Sequence, residues 1–79
     1  MATQKVSEIA QVIRILGPRD GDATGEYPML TSASLGEYFK KNYFVQGYSL
    51  FNTHVLHIDK TTNYPAILYV LVREVDEPL

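Results

Sequence analysis

Residues 66–75, Ala-Ile-Leu-Tyr-Val-Leu-Val-Arg-Glu-Val, are the most hydrophobic run of this chain, and the run is apolar on both parities. Successive side chains of a strand point to opposite faces, so a half-exposed strand alternates apolar with polar. Here Ala66, Leu68, Val70 and Val72 take one face, and Ile67, Tyr69 and Leu71 the other. Both faces of such a strand want cover. The chain has 79 residues and no cysteine, which allows one domain with a small core and no disulfide or thiolate metal site to reinforce it. Association with another subunit is then the most available source of further burial.

A second apolar strand is expected over residues 48–59, joined to 66–75 by turn residues at 60–65. Leu50, Leu56 and Ile58 share one parity of it and Phe51 and Val55 the other, which a bulge near Asn52 and Thr53 would reconcile. Residues 76–79 read as a frayed acidic tail. Residues 5–16 are ambiguous. Val6, Ile9, Ala10, Ile13 and Leu16 fit helical spacing with Gly17 and Pro18 as a stop, but the wealth of β-branched residues favours a strand.

Residues 17–31 hold three glycines, two prolines and several charges, and read as a long loop. Asp20, Asp22 and Glu26 invite a calcium reading, but their order is wrong for an EF-hand, and no Gly-Lys-Ser/Thr follows to make a P-loop. The loop therefore reads as a solvated turn region. Ser34 and Glu37 have the Ser-x-x-Glu form of a capping box, so a helix is expected over 34–44, with Leu35, Tyr38, Phe39 and Asn42 or Tyr43 as its apolar stripe. Lys40 and Lys41 suit the negative end of its dipole.

These elements make a single α+β domain over residues 1–79. Its expected core is a small three-stranded, mostly antiparallel sheet (β-α-β-β) with one helix on one face. One helix cannot cover both faces, so a homodimer or higher oligomer is expected, joined by sheet faces or strand edges. Burying ~600 Å² of apolar surface per subunit would contribute ~15 kcal/mol before association costs.

From Leu35 to Arg73 the chain resembles a family of small bacterial β-α-β-β domains of unknown function. In that family a short helix is followed by a Gly-Trp-Glu-Leu-Val-type motif and a last strand ending in a basic residue. The corresponding residues are Gly47-Tyr48-Ser49-Leu50-Phe51 and Leu68-Tyr69-Val70-Leu71-Val72-Arg73, with Tyr48 in place of Trp and Ser49 in place of Glu. The resemblance implies the fold and no activity. The strand order is also similar to that of the flavin-storing dodecins, whose stacking Trp has no counterpart here.

Composition narrows the function classes. The net charge of −2 and scattered Lys and Arg give no footprint for nucleic acid. Residues 1–8 have no signal-peptide pattern, and the longest apolar run is far below the roughly 20 residues that span a bilayer, so no membrane is expected and the cytoplasm, or a host cytoplasm for a viral gene, is the default compartment. His54 and His57, three apart in a strand, should face opposite ways, one exposed and one packed, and hold no metal unless the backbone bulges between them. No acid, base and nucleophile can be assembled, so neither enzyme activity nor a cofactor is expected. Tyrosine is the one compositional excess, six among nine aromatics, and suits both a half-buried core and an interface.

Three functional readings follow. The first is a non-enzymatic interaction or accessory module acting as a homo-oligomer, with one protein partner besides itself; Tyr48, Ile67, Tyr69 and Leu71 are its candidate interface. The second is a binder of a small anionic or nucleotide-like ligand in a pocket between subunits, held by Arg14, Arg19, Tyr27 and Arg73. The third is a phage-encoded inhibitor of a host defence protein.

Overall fold

The computed structural model describes residues 2–21 and 26–79. Five regular elements follow one another: β1 (Thr3–Leu16), β2 (Met29–Leu30), α1 (Ser32–Asn42), β3 (Ser49–Ile58) and β4 (Pro65–Pro78), with a turn of 3-10 helix at Phe44–Gln46. The strands form one sheet in the order β2-β1-β4-β3. It is four-stranded rather than three-stranded, and mixed, because the end of the long loop doubles back and pairs Met29 and Leu30 parallel to Ile15 and Leu16. A two-residue strand has no periodicity to betray it in the sequence.

Residues 5–16 are strand, as their β-branched content favours. The expected tail at 76–79 is not frayed through most of its length, since β4 pairs antiparallel with β1 from Ala66 opposite Ile15 out to Pro78 opposite Thr3. The long β1–β4 ribbon stretches the molecule to 53 × 22 × 16 Å, with a radius of gyration of 15.4 Å, against about 12 Å for a compact chain of this length.

Register assigns the faces, because directly opposed residues point to the same side. On one face Ala10, Val12 and Arg14 of β1 lie opposite Leu71, Tyr69 and Ile67 of β4, and α1 covers this face. Val12, Leu35, Phe39, Tyr69 and Leu71 form the buried core there, with Phe39 meeting Tyr69 edge-on at 5.1 Å between ring centres. Tyr38, Tyr43 and Tyr48 close round it. The expected stripe of α1 is thus the buried one.

The helix starts three residues earlier than the Ser34/Glu37 box implies. Thr31 is the N-cap, its side-chain oxygen accepting from the Ser34 amide at 3.2 Å, so one orphan donor of the first turn is satisfied. Asp20 reaches back from the loop to accept from the Thr31 amide at 2.9 Å and from the Ser34 hydroxyl. Lys40 and Lys41 occupy the last turn, as expected, and Gly47, at φ 91°, ends the 3-10 turn in the left-handed conformation that glycine adopts without strain.

A second, smaller core sits on the opposite face, where Ile15, Met29 and Ala66 are fully buried and Tyr27 leans on them. Gly17 makes this possible. A Cβ there would run into the Met29 sulfur, so any side chain would force the methionine to shift.

Candidate interaction surface

Away from the Met29 cluster, the face opposite α1 is open. It carries Ile9, Gln11 and Ile13 of β1 and Leu68, Val70 and Val72 of β4. Ser49, Asn52, His54 and His57 of β3 pair with Val72, Val70, Leu68 and Ala66 and so extend it. None of these positions holds Asp, Glu, Lys or Arg. Ile9 is 65% exposed, and the others are exposed or half-buried. Apolar side chains therefore run down an uncharged central stretch of this face, with Lys5, Glu74 and Asp76 following at the same parity toward one end and Glu26 bonded to His57 at the other.

β3 is exposed along its whole length. Its register with β4 shifts twice, leaving Phe51 and Leu56 without direct partners. The two bulges sort its residues, although one falls a residue before the expected position near Asn52 and the other was not foreseen. Leu50, Val55 and Ile58 end on the helix side, opposite Leu71, Ile67 and Pro65, yet α1 does not reach over them. Among the described residues no further strand lies beyond them.

The second bulge also overturns the expectation for the histidines. His54 and His57 both pair to the open face, and both are exposed. His54 Nε2 meets the Asn52 side-chain amide at 3.2 Å, and His57 Nε2 meets Glu26 Oε2 at 2.9 Å. Among the described residues no group of three or more His, Asp or Glu could hold a metal ion. Of the carboxylates in the calcium reading, Asp22 lies outside the described residues, Asp20 caps α1 and Glu26 pairs with His57.

Asp59, which the sequence did not single out, is the one buried charged residue among the described residues. It closes the β3–β4 turn by accepting from the Thr62 amide at 2.8 Å and the Thr62 hydroxyl at 2.9 Å, and fastens the loop by accepting from the Glu26 amide at 3.1 Å. The Thr62 and Glu26 amides hold its carboxyl below the usual range. Hydrogen bonds from Ser34 and Thr31 do the same for Asp20. The signal for Asp59 was present in the Asp-Lys-Thr-Thr-Asn turn, where Asp side chains commonly accept from amides a few residues on.

The structure does not gather the candidate ligand contacts. The Arg14 guanidinium donates to the Ile13 carbonyl and the Tyr38 hydroxyl, 5.0 Å above the Tyr38 ring centre. Arg73 donates to Glu8 at 2.7 Å and to the Gln46 carbonyl at 2.9 Å, and lies 4.7 Å over the Tyr48 ring. Both belong to the helix face but stand about 20 Å apart along the sheet. Arg19 is exposed in the loop and engaged by its own surroundings, while Tyr27 packs on the Met29 cluster. A groove of about 460 Å³ between Ser7, Ser49, Phe51, Val72 and Glu74 borders Arg73, whose donors are committed as described.

Of the candidate interface residues, Tyr69 and Leu71 are in the core beneath α1, and Ile67 and Tyr48 are half-buried beside it. All the tyrosines except Tyr64 pack in one of the two cores, and burial pushes the Tyr43 and Tyr69 hydroxyls up. The apolar positions of β4 left open are those of the other parity: Leu68, Val70 and Val72. No helix of the described residues is long and apolar enough to cross a membrane. No family model, characterised protein or solved structure matches this chain.

Proposed function

We propose that this protein is a non-enzymatic interaction module that works as a homo-oligomer, and that the open sheet face is where one copy meets another. The observation that carries the reading is the uncharged central stretch of that face. Ile9, Ile13, Leu68, Val70 and Val72 lie together with no formal charge among them or on the β3 positions beside them. A basic or acidic partner would find nothing to pair with in this stretch, since the charges of the face, Lys5, Glu74 and Asp76 toward one end and Glu26 at the other, lie outside it. A second copy brings an identical neutral stretch, and two such faces stack as sheets do, about 10 Å apart with their side chains interleaved. The exposed area agrees: the chain presents 5328 Å², where a compact monomer of this mass should present roughly 4,800 Å².

The non-enzymatic part rests on how the polar side chains are used. Asp20 serves the helix start, Asp59 the turn, Glu8 serves Arg73, and Glu26 serves His57. Each is committed to holding the fold. Light scattering at micromolar concentration tests the reading. A mass of two or more chains is expected, reduced by Ile9→Lys with Gln11→Lys, two exposed positions of the face. A wild-type monomer would overturn it.

A further inference from the structure

We infer that β3 is a second and separate self-pairing site, through which two copies join antiparallel, edge to edge, into one continuous eight-stranded sheet. Natural sheets rarely leave a long edge unguarded, because its unpaired amides and carbonyls are a template for another strand; bulges, which β3 has at Phe51 and Leu56, are one guard, and charges, especially lysines, the other. The two edges of this sheet differ in that respect. The β1 edge carries Lys5, Glu8 and Arg14, and its end is closed by β2. The β3 edge, Ser-Leu-Phe-Asn-Thr-His-Val-Leu-His-Ile, carries no Lys, Arg, Asp or Glu over ten residues, about 33 Å of strand.

The side chains point the same way. Phe51 is 74% exposed, Val55 63%, Ile58 52%, Leu50 46% and Leu56 43%. A two-fold axis perpendicular to the sheet keeps the same face of both copies on the same side. Leu50, Val55 and Ile58 of each chain would then meet across the seam on the helix side, forming the apolar floor of a trough between two helices. Residues 52–55 run in regular register between the bulges, which gives the seam a straight central stretch.

A second copy is the fitting occupant because the strand is uncharged and antiparallel pairing is self-complementary. Pairing β3 with the β1 edge of another copy would instead set this neutral strand against Lys5, Glu8 and Arg14 and propagate without closing. The tetramer expected below rests on the face-to-face reading above; the β3 seam stands without it. Edge pairing and face stacking use perpendicular axes, so together they close at four copies.

Native mass spectrometry of three forms at about 10 μM, a concentration at which interfaces of standard size persist, separates the two contacts. Wild type is expected at four times the chain mass, and Phe51→Lys with Val55→Lys at half of that, as is Ile9→Lys with Gln11→Lys. A wild-type dimer split by the face changes but not by the β3 changes overturns the seam and leaves the face reading standing. One split by the β3 changes alone keeps the seam and overturns the face reading. A wild-type monomer overturns both. Circular dichroism melts establish that each variant is folded, and Val55→Lys alone carries the same test if the double change disturbs the fold.

Discussion

Leu50 and Leu71 lie opposite each other on neighbouring strands, on the same side of one sheet, yet Leu71 is 0% exposed and Leu50 46%. Both strands looked like core in the sequence. β4 became core because β1 flanks it along its length and α1 lies over it; among the described residues β3 has β4 on one side, no strand on the other, and no helix above. An apolar strand is thus an offer of burial, and the neighbouring elements decide whether it is taken up within the chain or left for another one.

The contrast can be broken most directly by truncating the two leucines. Leu71→Ala should cost about 2–5 kcal/mol of folding stability, because it removes buried methyl groups and leaves a cavity under α1. Leu50→Ala should cost well under about 1 kcal/mol in the monomer. Urea denaturation of the two variants measures the difference, and equal losses would mean that β3 is covered in solution.

Next comes the Met29 cluster, the place where the chain does roof part of its second face. Gly17→Ala should destabilise by about 1–3 kcal/mol, since the added methyl would run into the buried Met29 side chain. Combining it with Met29→Ala should cost less than the sum of the single changes. Additive losses in a double-mutant cycle would dissociate the glycine from the methionine.

Acid sharpens the comparison between the fastened loop and the open face. The folded-state pKa values of Asp20 and Asp59 are lowered by their hydrogen bonds, so their contribution is fully present above the unfolded carboxyl value of about 4 and fades as pH falls through the lower folded values. Thermal melts between pH 7 and pH 2.5 should show that loss reduced in Asp59→Asn. An unchanged acid response in that variant would shift the cause to other carboxylates. The smallest expected effect is that of Phe51→Ser, within about 0.5 kcal/mol on monomer folding, and it is informative because any larger loss in a concentrated sample must come from association.

Much of the architecture was legible. Periodicity and β-branched content marked the long strands and the helix, and apolar residues on both parities of 66–72 signalled that both faces would need cover. What escaped were features that depend on partners distant in sequence. The two-residue β2 exists only because Ile15 and Leu16 offer it an edge, the pairing of 76–78 exists because Thr3–Lys5 lies alongside, and the true N-cap, Thr31, was passed over for a box three residues later. The candidate site fared less well. Arg14 and Arg73 were picked for their charge, and the structure gives each a tyrosine ring and fixed acceptors.

The sequence by itself determined the composition of the strands, the helix stripe and the shortage of cover, because these follow from side-chain spacing along one element. Only the tertiary structure decided which parity α1 would bury, and it left Leu68, Val70 and Val72 open instead of Tyr69 and Leu71. It also decided, through bulges at Phe51 and Leu56, that Asn52, His54 and His57 of β3 face one way and Leu50, Val55 and Ile58, with Thr53 among them, the other. Spacing in one strand fixes which residues travel together; the face they take is set by register and by what packs against them.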